Sequence, residues 1–432
     1  MGKDSIPFAR PFIGPEEEAA VLRVLRSGWL TTGREALAFE AEFTGFLEDP
    51  EGALPPLRSL TVNSATSGLH LALEACGIGP GDLVLVPAYT FVATAEVVRY
   101  LQGEVVFVDT APGTFHIDPK ALEATLARLS SGDAAYPQSP GSGSFGPRGV
   151  PKAVIPVHYG GLPCAMEAIM DIARRYGLKV IEDAAHAFPS RLSTGGWAGT
   201  IGDLGVFSFY ATKTITTGEG GMVVSRDPAL ARRIALMRNH GIDRSVWNRY
   251  TDTEASWYYA VVAPGYKYNM PDLLAALGRV QLTRAWALLD RRKAIAAAYD
   301  AAFKEEAYCS LPPTGPGDAR HLYPLRLNPE RLSITRDAFI EQIQAAGVGV
   351  SVHFIPLHSM PYYRDRYGLK EGDLPESMRS FQRVISLPLW PGMQDAQVER
   401  VIQVVKTIAR EHPGGSGTYS AGGVPHTPGT VL

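Results

Sequence analysis

Cysteine is scarce: Cys76, Cys164 and Cys309 are the only three among 432 residues, odd in number and far apart. They form no CxxC pair, so neither a zinc site nor a disulfide framework is signalled, no metal is expected, and a reducing compartment is the simpler reading. Long apolar runs are missing as well. No uninterrupted apolar stretch reaches membrane-spanning length, and the opening MGKDSIPFARPFIG lacks the apolar core of a secretory signal. Met1-Gly2 begins like an acylation site, but the sixth residue is Ile6 where that motif needs Ser or Thr. Nor is there a surplus of one charge: 41 Lys+Arg against 44 Asp+Glu leave a formal -3. That balance gives no electrostatic reason to expect nucleic acid or an anionic membrane as a partner. A cytoplasmic protein is expected, and no internal repeat is found.

The chain is long enough for a large domain and a smaller one. From Leu60 a pattern recurs: short apolar runs at 60–62, 83–86, 105–108, 153–157 and 179–181 alternate with helical stretches at 69–76, 91–101, 119–129 and 166–176. Two more apolar runs follow, Gly205 to Phe209 and Gly221 to Ser225. Apolar strands alternating with helices predict an α/β fold with a mostly parallel sheet covered on both faces. Beyond about Asp290 the style changes. A long helix near 271–301, strands at 321–327 and 348–353, and helices near 336–346 and 396–410 suggest a smaller α+β unit. The expected division is a large domain over 1–285, a smaller one over 286–411, a Ser/Gly/Pro-rich surface insertion at 130–148, and a disordered tail over 412–432.

Ligands of such sheets bind beyond the carboxyl ends of the strands. Those ends here carry NSATSG, PAYTF, HYGG and EDAAH, all polar or aromatic. Thr66 and Ser67 open a helix, where free amides and hydroxyls suit a phosphate, although an ordinary N-cap reads the same way. Phe91 is either a platform for a flat ring or core. Asp183 is placed to hold a positive charge at a ring nitrogen, with His186 one turn on; helix cap and interior histidine are the bland readings. Between two apolar strands sits one lysine, Lys213, amid Ser208, Thr212, Thr214, Thr216, Thr217 and three glycines. A buried lysine is disfavoured as a cation and becomes a usable amine, which suits a Schiff-base lysine. Trp29, in the loop GWLTTG, is a core anchor or part of a cover over the site.

Phosphate cradle, ring platform, acid and amine together are the parts needed for pyridoxal phosphate. NSATSGLHLAL, PAYTFVAT, PVHYGG, EDAAHAF, FSFYATKTITTGEGG, PGYKYNM and SLPLWPGM resemble, in order, the signatures of the DegT/StrS family of nucleotide-sugar aminotransferases, over about Pro11 to Ala409. The resemblance implies a fold-type I, aspartate-aminotransferase-like enzyme with pyridoxal 5'-phosphate as cofactor. Lys213 would be its Schiff-base lysine and proton carrier, Asp183 the partner of the pyridinium nitrogen, and His186 the neighbour of the ring hydroxyl. Thr66, Ser67 and Ser208 would hold the phosphate, and Phe91 would lie over the ring. It further implies a homodimer with shared sites, in which Lys267 and Asn269 of GYKYNM reach the phosphate of the neighbouring chain. That segment departs from the family's commoner Tyr-Asn-x-Arg, and it looks most like the branch that aminates UDP-4-keto-pentose in 4-amino-4-deoxy-L-arabinose synthesis. The implied reaction moves an amino group from glutamate to a nucleotide-linked keto-sugar; His321, His353 and His358 are candidates for the substrate side, and a structural histidine is the bland reading of each. Amination of a cyclitol, or a regulatory protein of the same fold, are the alternatives. A dehydratase relative would carry histidine where this chain has Lys213.

Overall fold

The computed structural model describes residues 5–48, 54–131, 149–243 and 259–414. Beyond Ser131 the expected insertion, and beyond Gly414 the expected tail, lie outside the described residues.

Seven strands make the larger sheet: β1 (Arg58–Val62), β2 (Asp82–Pro87), β3 (Glu104–Val108), β4 (Val150–Val154), β5 (Lys179–Asp183), β6 (Leu204–Ser208) and β7 (Gly221–Ser225), in the order β1-β7-β6-β5-β4-β2-β3. Neighbours are parallel except that β7 runs against both β1 and β6. The apolar runs are continuous because both faces are covered. Val84, Val86, Val105 and Phe107 pack on the side of α3 (Ala65–Ala75) and α4 (Ala93–Tyr100). Their neighbours Leu83, Leu85, Val106 and Val108 pack against α5 (Pro119–Ser131) and α6 (Met166–Tyr176). Consecutive strand residues face opposite sides, so a run with no polar alternation is what two covered faces require.

The chain enters through α1 (Pro15–Ser27) and α2 (Arg34–Leu47). The free amides that open α2 are capped from afar: the Asp272 carboxylate accepts from Gly33 N at 2.7 Å and Ala36 N at 3.0 Å. The helix expected near 271–301 is two helices, Asp272–Thr283 and Ala285–Phe303, parted at Arg284, whose guanidinium meets the Glu17 carboxylate at 2.7 Å.

A second, antiparallel sheet holds β8 (Cys309–Ser310), β9 (Tyr323–Leu327) and β10 (Val384–Leu387) in the order β10-β9-β8. Its core joins Tyr299 and Phe303 to Phe339 and to Val401 and Val405 of the last helix, Asp395–Glu411. The strand expected at 348–353 is not formed. That stretch makes only single bridges, Val348 to Ile6 and Ser351 to Ser386, and the strand in the sheet is β10. Within the expected tail, Pro413 bridges Leu332 and the His412 carbonyl accepts from Ser333 N at 3.0 Å, so 412–414 are held by the small sheet's surroundings. The N-terminal segment also belongs here: Ile6 N donates to Gly347 O, and Gly349 N to Ile6 O. Asp109, just past β3, caps the helix Pro375–Arg383 by accepting from Glu376 N and Ser377 N at 2.9 and 2.8 Å.

All three cysteines are free thiols. Among the described residues no helix is long and apolar enough to cross a membrane, and no group of three or more His, Cys, Asp or Glu is arranged to hold a metal.

Candidate active site

A cavity of about 560 Å³ lies at the carboxyl ends of the parallel strands, between the two sheets. Five segments of the large sheet reach it: Ser64 to Thr66 after β1, Thr90 to Thr94 after β2, Val157 after β4, Asp183 to His186 at the end of β5, and Ser208 to Lys213 after β6. Opposite them stand His321 and Leu322 before β9, Ser351 to Phe354, Leu387 and Leu389, and Phe8 of the N-terminal segment.

Asp183 ends β5 in the interior of the sheet and is only 5% exposed, so its carboxyl is buried. Burial raises it above the usual carboxylate range, opposed by the Ala185 amide, the Thr94 hydroxyl and the charge of Lys213. Thr94 Oγ1 donates to Oδ2 at 2.9 Å and Ala185 N to Oδ1 at 3.1 Å. Across the cavity, burial pushes the Lys213 amine down to about 8; Asp183 opposes that shift and the Arg292 guanidinium adds to it. An amine so placed has a large neutral fraction near physiological pH, which is what a nucleophile or a proton carrier needs.

Three imidazoles complete the walls. His186 accepts from Gly160 N at Nδ1, 3.3 Å away, so Nε2 carries its proton. The His186 ring lies 4.5 Å from that of His321 and is stacked on Phe354. Burial, reinforced by the charge of Lys213, holds both His186 and His321 well below the ordinary histidine value. Burial likewise lowers His353 to about 4, and its Nδ1 sits 2.9 Å from Ser386 Oγ. All three are neutral at pH 7. The Nδ1 of His321 is buried without a hydrogen-bond partner.

The structure brings Thr66, Phe91, Asp183, His186, Ser208, Lys213, His321 and His353 of the sequence-derived set to this cavity. Phe91 is 55% exposed, its ring tilted at 51° to that of Phe354 with centroids 5.8 Å apart. Five others stand elsewhere. The Ser67 hydroxyl is consumed in capping α3, donating to Asn63 Oδ1 and the Ser64 carbonyl, so the cavity-lining serine of that turn is Ser64. His358 is fully buried in a short 3-10 turn, with Nε2 3.2 Å from the Glu371 carbonyl. Trp29 directs its Nε1 to Thr32 O, and Asn269 donates to the Thr32 hydroxyl, which puts both beside the GWLTTG loop. Lys267 is exposed, its carbonyl accepting from Asn63 Nδ2 at 3.4 Å. Phe8, Thr94, Glu219 and Phe354 were not singled out from the sequence. Thr94 lies one helical turn beyond Thr90, and that spacing is the one local signal that could have found it.

The donor set fits pyridoxal phosphate. Ser64 caps Ser67 N, leaving the Ala65 and Thr66 amides without intrahelical partners beside the hydroxyls of Thr66 and Ser208. The turn is packed tightly from below: a Cβ on Gly221 would come within 2.8 Å of both Ala65 N and Phe207 O. An acid, an exposed aromatic face and a neutral imidazole with Nε2–H available surround the remaining space.

The model of the DegT/DnrJ/EryC1/StrS aminotransferase family matches residues 11–406. The chain is 41% identical over 413 residues to the spore coat polysaccharide biosynthesis protein SpsC of Bacillus subtilis, covering 94% of this chain and 97% of that one. Among solved structures it is similar to the putative sugar aminotransferase Spr1654 of Streptococcus pneumoniae in its PMP form, at 29% identity, TM-score 0.80, and 94% and 98% coverage of the two chains. It is also similar to Helicobacter pylori PseC, an aminotransferase of pseudoaminic acid biosynthesis, at 25% identity, TM-score 0.80, and 94% and 100% coverage.

Proposed function

The chain belongs to the DegT/DnrJ/EryC1/StrS aminotransferase family, and from that premise we propose that it moves an amino group from glutamate to a nucleotide-linked keto-sugar, a 4-keto-sugar first among them. It is an aminotransferase and its cofactor is pyridoxal phosphate. The observation that carries the reading is the shared cavity of Lys213 and Asp183, with the amine held near 8 and the carboxyl buried opposite it. The polysaccharide role in the name of SpsC and the sugar substrates in the titles of the solved relatives support a sugar acceptor.

When bound, the cofactor supplies an electron sink for the carbon that bears the amino group. The protein does the rest. The first turn of α3 and the hydroxyls of Thr66 and Ser208 anchor the phosphate, and Phe91 excludes water from one ring face. Asp183, steadied by Thr94, would hold a proton at the ring nitrogen, and His186 Nε2–H would be the donor for the ring hydroxyl. Lys213 would be the attachment point, and its Nζ the group that would hold and move the proton. His321 and His353 face the acceptor. Lys267 and Asn269 lie outside the cavity of their own chain, which fits a homodimer in which they serve the partner's cavity.

The test is product analysis by mass spectrometry, with glutamate and a panel of UDP-, GDP- and dTDP-linked keto-sugars. One member should gain an amine, and Lys213→Ala should lower the rate by at least about a thousandfold. Failure of every member, with the protein unable to take up pyridoxal phosphate, would overturn the reading.

A further inference from the structure

Arg292, in the middle of the helix Ala285–Phe303, is 2% exposed and forms no ion pair among the described residues. A guanidinium removed from water without a carboxylate is expensive to keep unless its place gives something in return. Its hydrogen bonds go to three main-chain carbonyls on separate segments. Nη1 donates to His321 O at 3.2 Å and Leu389 O at 2.9 Å, and Nη2 to Thr212 O at 3.3 Å. Nε is buried with no partner. Thr212 precedes Lys213 directly, while His321 and Leu389 line the opposite wall of the cavity. One planar fork thus ties the lysine-bearing turn of the large sheet to the segment entering β9 and the segment leaving β10 of the small one, from behind the cavity. Lysine has no fork to span three acceptors.

We propose that Arg292 is a positioning residue for the Lys213 amine: its fork fixes the Thr212–Lys213 peptide, and its uncompensated charge sets the positive potential in which the amine works. The inference rests on Lys213 being the cofactor lysine. The charged and titratable groups that face Lys213 are few. Asp183 from β5 attracts the protonated amine, and Glu219 stands exposed at the rim. His186, His321 and His353 are neutral, so Arg292 is the buried cation that opposes Asp183. Without it, Asp183 acts alone and the amine holds its proton to higher pH.

The test uses three forms of the full-length protein, native, Arg292→Lys and Arg292→Met. In the apoenzyme, the pH dependence of Lys213 modification by an amine-reactive reagent, read by peptide mass spectrometry, gives the apparent pKa of the amine. In the holoenzyme, borohydride reduction reports whether the cofactor sits on Lys213. Arg292→Met should raise the apparent pKa by about one unit from the native value. Arg292→Lys, keeping the charge and losing the fork, should leave the apparent pKa in place and lower kcat about tenfold or more with KM little changed. Should Arg292→Met fail to fold, Arg292→Lys still decides, because an unchanged kcat there overturns the positioning role. An unmoved pKa in a folded Arg292→Met overturns the electrostatic role. If borohydride does not mark Lys213 in the native protein, the reading beneath the inference fails instead.

Discussion

Lys213 can attach the cofactor only as a free base. With its amine near 8, the nucleophilic fraction falls about tenfold for each pH unit below that value and levels off above it. Mixing apoenzyme with pyridoxal phosphate in a stopped-flow absorbance experiment should therefore show uptake that accelerates up to about pH 8 and then flattens. A profile still rising past pH 10 would mean an amine of ordinary basicity. Thr94 belongs to the same scale. It donates to Asp183 Oδ2 and therefore accepts from the Thr90 hydroxyl at 2.8 Å, so two hydroxyls relay into one carboxyl oxygen. Thr94→Val keeps shape and removes the donor; kcat is expected to fall about tenfold, with the loss read by steady-state kinetics alongside an unchanged circular dichroism spectrum.

Among the elements, the N-terminus of α3 is set by Ser64, which closes a reciprocal capping pair with Ser67. Its position against β7 depends on the missing side chain at Gly221, where a Cβ would press on Ala65 N and Phe207 O, both backbone. Gly221→Ala must displace the turn; an overpacked site of this kind costs about 1–3 kcal/mol. The expected results are a Tm lower by a few degrees and weaker retention of pyridoxal phosphate on dialysis; unchanged retention would show that this turn does not hold the phosphate. Elements of this kind were legible in the sequence where one physical rule decided them. Strands buried on both faces give runs such as LVLV and VIE that no helix period explains, and the polar residues at their ends fall on the cavity because the strands are parallel. The capping register was not legible: Ser64 and Ser67 are three residues apart, and only the folded turn shows which hydroxyl is spent on the backbone. His353 and His358 share one short motif, yet the intervening 3-10 turn sends one to the cavity and buries the other. β10 runs into SLPLWPG, whose prolines argue for loop, and Arg292 sits mid-helix with no local pattern to mark it.

For the whole molecule, the cavity is assembled between two sheets, and Asp109 reaches from the large one to cap the helix Pro375–Arg383. Lys267 and Asn269, which are not among its lining residues, give the proposed dimer a direct test. Lys213→Ala and Asn269→Ala chains, each weak alone, should regain activity when refolded together, because a mixed dimer with shared sites has one intact site. No recovery above the sum of the separate activities would mean that each chain works by itself.

The N-terminal segment has a bearing on how the protein is made. Ile6 is held by Gly347 and Gly349, and Phe8 stacks at 5.3 Å on His353 in the cavity wall. Residues near position 6 must wait for partners near position 350, and contacts so distant along the chain form late. The cavity is thus closed only after its small-sheet wall has been made. Nascent chains stalled before Val384 should bind no pyridoxal phosphate, measured by cofactor fluorescence, while released full-length chains bind it. An enzyme built this way cannot trap its cofactor half-made.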